Sequence, residues 1–301
     1  MAELSELLAV IPRPKAPHLR LRRHSRLGVL GRRLAPYFAV WLASAAILYA
    51  AWLPGTGKAL LGFLLQPGTL VAIFALIFAL FYVRVLLLRR LVQSNVEGIL
   101  YISSGRATQA AALYDELSRR GRGRMPYHAL FVGNRGVVAT LQGELGRGRE
   151  LLGEALRSGW FTGESSSAAG GYFAAFLSRN FALDGDMRAA AAWREIATVL
   201  IPSTRKGTLL LADAVILLRS GHPNRAAEAI AAQWMGAEGE LGAHERRALR
   251  ALQAFALSQV PGRDVEVEEA LAGLWPAVEG QLDYLGVRWP ELRSFVTTRV
   301  G

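Results

Sequence analysis

The sequence predicts an all-α fold, a two-helix transmembrane hairpin followed by an α-solenoid of about 4-5 helical hairpins, on three observations. No Asp or Glu occurs between Leu7 and Val96, and two long uncharged apolar runs, Leu34 to Gly57 and Ala59 to Val83, lie in that stretch with only Lys58 between them. After residue 91 the texture changes to short amphipathic segments punctuated by glycine. Within those segments small residues, aromatics and turn glycines recur at matching offsets, the mark of a repeat architecture.

Residues 1–33 read as a basic cytoplasmic segment. Leu4, Leu7 and Leu8 give Met1 to Val10 a weak amphipathic pattern, and Ile11 to Arg33 is rich in Pro and Arg, which suits an extended chain. Arg20, Arg22, Arg23, Arg32 and Arg33, with Arg89 and Arg90 beyond the second apolar run, are candidates for contact with anionic lipid headgroups. Each such cation contributes about 1 kcal/mol near a charged surface. The same charges also serve as a topology signal with no other role, and that reading stays open.

Residues 34–90 form the predicted membrane module. A bilayer's hydrocarbon core is about 30 Å thick and needs roughly 20 apolar residues per helical crossing. The first crossing is placed at 36–53, with Tyr37, Trp41, Tyr49 and Trp52 at the levels of an aromatic belt. Pro54-Gly55-Thr56-Gly57 ends it, and the second crossing is placed at 68–88. Residues 59–66 fit either an interfacial helix or the first turns of a kinked crossing. Eight basic residues precede the first run, three follow the second and only Lys58 lies between, so both termini are expected in the cytoplasm. A cleaved signal peptide ending near Ala43-Ser44-Ala45 is the competing reading; the long basic region and the second apolar run oppose it. Neither run holds an acid, a His or an Asn, so an anchor is expected rather than a proton or ion path.

The bulk charge then acquires an explanation. A net charge of +11 would by itself suggest nucleic acid, but twelve basic residues stand against Glu3 and Glu6 in the first 95, and the remainder is nearly balanced. No nucleic-acid partner is therefore expected. The absence of cysteine excludes disulfides, thiolate metal sites and thiol nucleophiles. Arg far outnumbers Lys in an Ala-, Gly- and Leu-rich chain, a composition of GC-rich bacterial genomes, which places the expected membrane as a bacterial inner membrane.

Residues 92–273 carry the repeats. Apolar periodicity and glycine punctuation place helices at 92–104, 107–119, 127–142, 147–157, 168–183, 187–200, 206–219, 224–235, 243–259 and 265–273. Residues 163–171, with Ser165-Ser166-Ser167, read as a loop or cap. Turns are expected at Gly105, Gly146, Gly185, Gly221 and Gly262. From 274 to 301 the pairs Trp275-Pro276 and Trp289-Pro290 break the period, which suits a segment that seals the last apolar face.

Gly98, Tyr101, Gly105, Ala110 and Tyr114 stand at the offsets where the tetratricopeptide repeat places its small residue, aromatic, turn, second small residue and second aromatic. Ser178, Phe181, Gly185, Ala190, Ala197 and Pro202 repeat the scheme, Ala214, Leu217, Gly221 and Ala226 give a third unit, and Ala139, Gly146 and Ala155 a looser one. The chain thus resembles a tetratricopeptide-repeat (TPR-like) protein over roughly residues 92–273, with turns spaced more widely than the family's period. The resemblance implies a groove lined by the first helix of each pair that holds a protein or peptide. Asn95, Tyr101, Asn134, Gln142, Arg179 and Asn180, polar positions on first helices, are its candidate residues.

Chemistry has little support in the sequence. Pro54-Gly55-Thr56-Gly57-Lys58 lacks both ends of a phosphate loop, and His244-Glu245 has Ala248 where a zinc-protease helix needs its second His. Arg119 to Arg124 is a basic cluster without interleaved aromatics; lipid headgroups or plain solvation suit it better than RNA. No catalytic residue, metal site or cofactor is expected. The function expected is that of a membrane-anchored scaffold or adaptor for a protein or peptide partner. The alternative is a non-catalytic subunit of a membrane enzyme or transport complex, with the crossings as its main interface.

Overall fold

The computed structural model describes residues 66–122, 127–161, 167–201, 207–274 and 280–299, together with Ser44 and Gly62. The basic segment, the first crossing and nearly all of 59–66 lie outside the described residues. Among those described, the chain is all-helical. In order, the helices are α1 (Pro67–Ser104), α2 (Ala107–Arg120), α3 (Tyr127–Leu141), α4 (Leu145–Arg157), α5 (Ser167–Asp184), α6 (Met187–Leu200), α7 (Gly207–Arg219), α8 (Pro223–Glu238), α9 (Ala243–Ser258), α10 (Asp264–Ala272) and α11 (Pro290–Arg299), with a 3-10 turn at Asp283–Gly286 before the last.

The described residues divide into two compact units, 66–93 and 94–299. Helix α1 has residues in both, so the expected break near residue 91 is no helix end. No Gly or Pro interrupts the backbone ladder from Thr69 to Glu97, and the helix has no local reason to stop. Among the described residues no helix is long and apolar enough to cross a membrane. The described uncharged side chains of α1 run from Phe74 to Val83, and Arg84, Arg89 and Arg90 follow. In that stretch Phe74, Leu76, Ile77, Phe78, Leu80, Phe81, Tyr82 and Val83 are all exposed.

The second unit is built from hairpins of consecutive helices, each turned by the same device. Gly105, Gly143, Gly185, Gly221 and Gly262 hold φ between 77° and 93°, a region that glycine enters without steric cost. At the first four, the glycine N–H and the next N–H return to carbonyls of the last helical turn, as in Gly105 N to Ile102 O (3.0 Å) and Arg106 N to Tyr101 O (2.8 Å). This left-handed cap satisfies carbonyls that the helix end leaves free. The second turn glycine is Gly143, not Gly146. Gly146 lies inside α4, where the offsets of the looser unit misplaced the turn.

Three hairpins close where small residues let backbones approach. A Cβ on Gly98 would stand 2.6 Å from the Tyr114 ring, so α2 lays its tyrosine across the α1 backbone at that glycine. Between α3 and α4 a Cβ on Gly136 would lie 2.8 Å from the backbone N of Leu152, and one on Gly148 would lie 2.4 Å from Thr140 Oγ1. In the next hairpin Ser178 Oγ donates to Ala190 O at 2.8 Å, both residues being buried. First helices α3, α5, α7 and α9 pack one on the next, and each second helix also contacts the first helix that follows it.

The two ends of this array meet. A Cβ on Gly242, just before α9, would come within 2.9 Å of Ser103 Cβ on α1. The Ser104 carbonyl accepts from Arg247 Nη2 (3.4 Å) and Gln281 Nε2 (3.3 Å). The segment after α10 then runs back over the array. Trp289 meets Phe255 of α9 edge-on at 5.4 Å and receives the Arg219 guanidinium of α7 on its face at 4.4 Å. Arg219 also donates to Leu183 O at the end of α5 (2.8 Å).

Replacing Gly136 or Gly148 with Ala is expected to lower stability by about 1–3 kcal/mol, because the Leu152 backbone N opposite Gly136 cannot yield as a side chain can, and a Cβ on Gly148 would push into the buried Thr140 Oγ1–Asn180 Nδ2 hydrogen bond. Gly146→Ala and Gly236→Ala, where a Cβ meets nothing within 4 Å, are expected to be neutral or to stabilise by up to about 1 kcal/mol. Thermal unfolding of the four variants in one detergent checks the contrast.

Candidate functional site

The first helices bring their inner faces around a cavity of about 350 Å³. Ile99, Ile102 and Ser103 come from α1, Leu130 and Asn134 from α3, and Ala168, Ala169, Tyr172 and Phe173 from α5; Thr208 of α7, Ile201, Glu240, Gly242 and Glu245 complete the wall. The wall is mostly apolar, and among the described residues its only charged members are the two glutamates. Glu240 is engaged, since its Oε2 accepts from Gly207 N at 2.7 Å and so caps the start of α7. Glu245 is buried, and its Oε2 accepts from Gly242 N at 3.3 Å at the start of α9, while Oε1 has no hydrogen-bond partner.

Beside Glu245 lies a knot of buried polar groups. The Arg179 guanidinium sits 3.9 Å over the Phe176 ring and 5.6 Å from that of Tyr284, and its Nε and Nη2 find no acceptor. The His244 ring is 5.7 Å from that of Tyr284, and neither of its nitrogens has a partner. Burial pushes the Glu245 carboxyl up, against the opposing pull of Arg179, the Gly242 N–H and Tyr172. Burial likewise raises the Tyr172 and Tyr284 phenols. His244 is pushed down to about 3, by burial first and by the Arg179 and Arg247 charges next, so its imidazole is neutral at physiological pH. A small apolar group with hydrogen-bond donors at one end matches these walls.

The structure distributes the expected groove residues unevenly. Asn95 and Asn134 come together with Tyr114: Asn134 Nδ2 donates to Asn95 Oδ1 (3.0 Å) and to Tyr114 Oη (3.2 Å), and that hydroxyl donates to Asn95 O (3.2 Å). Arg179 and Asn180 are buried, so neither lies on an open face. Asn180 Nδ2 is spent on Thr140 Oγ1 and Leu145 O, both at 3.0 Å, and ties α5 to the α3–α4 turn. Tyr101 donates to Glu97 Oε1 (2.7 Å), and exposed Gln142 accepts from Arg135 Nη1 (3.3 Å). Polarity on a first helix marks inner and hairpin faces alike, which is why the sequence could not sort them. Arg89 and Arg90 are exposed on α1; Arg20, Arg22, Arg23, Arg32 and Arg33 lie outside the described residues.

Sequence reasoning passed over Tyr172, Glu245 and Tyr284. Glu245 did carry a signal, since it stands three residues after Gly242 at the first turn of a helix, where a carboxylate caps a free N–H. No family model matches the chain, and no curated protein or solved structure does either.

His244 gives the fold an acid-side weakness. The folded state holds it neutral down to about pH 3, whereas the unfolded chain takes the proton near pH 6.5. Its contribution is therefore complete above pH 6.5 and is lost as pH falls toward 3. Between pH 6.5 and 4.5 the loss amounts to about 2–3 kcal/mol. His244→Phe should show a visibly shallower decline over that window in thermal unfolding at stepped pH; an unchanged decline would contradict the assignment.

Proposed function

We propose that this chain is a membrane-anchored helical-repeat adaptor, TPR-like in architecture, that holds a protein or peptide partner at the cytoplasmic face of a bacterial inner membrane. The observation that carries the reading is the exposure of apolar side chains at every angular position of α1 from Phe74 to Val83. A helix that is apolar all round belongs in a core or in lipid. The described residues place no core around it. The uncharged runs in the sequence and the basic residues that flank them support lipid. For the partner, the support is the repeat unit itself: hairpins whose first helices line one largely apolar cavity, with a buried acceptor at its edge.

The natural absence of cysteine makes topology directly measurable. Lys58→Cys should react with an impermeant maleimide in intact cells and Arg122→Cys only after permeabilisation, with the chain resisting alkaline extraction from membranes. Equal labelling of both sites, or release by alkali, would overturn the anchor. For the partner, a photo-crosslinking amino acid at Leu130, on the cavity wall, should give one dominant protein adduct. Adducts formed only from Phe78 in α1 would favour the subunit alternative, in which the crossings are the main interface.

A further inference from the structure

A second cavity, of about 550 Å³, lies where the ends of the array meet, and it shares no residue with the first. One wall is the amino terminus of α2, with Arg106 followed by Ala107, Thr108 and Gln109. The first N–H groups of a helix have no carbonyl behind them, and Arg106 supplies no side-chain cap here. Ala107, Thr108 and Gln109, whose N–H groups have no carbonyl of their own helix, line the cavity together with Arg106, and the positive end of a helix dipole with a cation favours an oxyanion.

His244 is the independent sign of a ligand. It lines the same cavity at 2 % exposure with both ring nitrogens unpartnered, and Gly105, which has no side chain, leaves the α1–α2 turn pressed against its Nδ1. A buried imidazole offers one donor and one acceptor, and leaving both unmet is costly. Burial first, and the nearby Arg179 and Arg247 charges next, depress its basicity, so two cations stand close enough to act on the ring.

The opposite chemistry is present too. Gln281 spends its Nε2 on Ser104 O and leaves its buried Oε1 without a partner, and Asp283 adds a carboxylate to the cavity wall. These acceptors would repel a polyanion, and they match an ammonium.

We propose that this cavity binds a small zwitterion, its carboxylate or phosphate at the amino terminus of α2 and Arg106 with an N–H from His244, and its ammonium at Gln281 Oε1 and Asp283. Two sources share that chemistry, free amino acids and an ethanolamine-phosphate headgroup. The site does not depend on the adaptor reading, because it makes no use of the first cavity or of the membrane anchor.

Full-length protein in detergent, labelled at its five histidines with ¹⁵N and ¹³C, provides the test; the His244 resonance is the one lost in His244→Gln. It is titrated with each of the twenty amino acids, with O-phosphoethanolamine, and with acetate and methylammonium alone. At least one zwitterion should move the His244 signal saturably, at least about tenfold more tightly than acetate or methylammonium. Arg106→Gln and Asp283→Asn, both at exposed positions, should each weaken that zwitterion by about tenfold or more while leaving the unliganded spectrum in place. A response to amino acids identifies the free metabolite as the source, and one to phosphoethanolamine identifies the headgroup. The proposal is overturned if no zwitterion shifts His244, if acetate alone binds as well, or if binding survives both substitutions.

Discussion

The contact on which the second unit depends is the return of Gly242 and the start of α9 onto Ser103, close enough that a Cβ on Gly242 would come within 2.9 Å of the Ser103 side chain. Stacked hairpins need contact only their neighbours, and an array of that kind stays open at both ends. Here the last first helix comes back to the first one, and the Ser104 carbonyl takes donors from α9 and from the segment beyond α10. Both cavities exist because of that return. The inner one is bounded by first helices from every hairpin, and the outer one lies at the seam between the α1–α2 turn, His244 and Gln281.

The return also explains the buried polar groups. Arg179, His244, Glu245 and Tyr284 lie buried close to that return; there they lose water and are only partly repaid by one another. Burying a charge is costly unless a partner meets it. Between α6 and α7 the chain solves the same problem fully: Arg194 grips Asp213 through Nε (2.8 Å) and Nη2 (3.2 Å). Burial nevertheless pushes the Asp213 carboxyl up, because desolvation outweighs the pull of Arg194. Arg179 has no such grip and rests on the faces of Phe176 and Tyr284, where the ring quadrupole replaces some of the lost solvation.

The small residues connect local chain chemistry to these long-range effects. Gly98 admits the Tyr114 ring, whose hydroxyl joins Asn95 to Asn134, so one missing side chain on α1 sets the register of three helices. Gly136 and Gly148 bring α3 and α4 into backbone contact, and Asn180 reaches Thr140 and Leu145 across the same hairpin. The side chains that line the inner cavity are placed by these crossings. A larger residue at one of them would shift the wall as a whole.

The helices between Ala107 and Ala272 and four of the five turn glycines were legible in the sequence, because apolar period and left-handed glycine are local properties of the chain; the start of α1 at Pro67 and the whole of α11 were not. Gly143 was missed for a related reason: Gly146, three residues on, also fits a small-residue offset, and only its helical backbone rules it out as the turn. The sequence by itself determined the helical class, the hairpin order and the partition of charge around an acid-free amino-terminal stretch. What the tertiary structure alone decided is which polar side chains face inward and that the two ends of the array meet. Both follow from contacts between residues more than a hundred positions apart, such as Ser104 with Arg247 and Gln281, and no local period encodes such a distance.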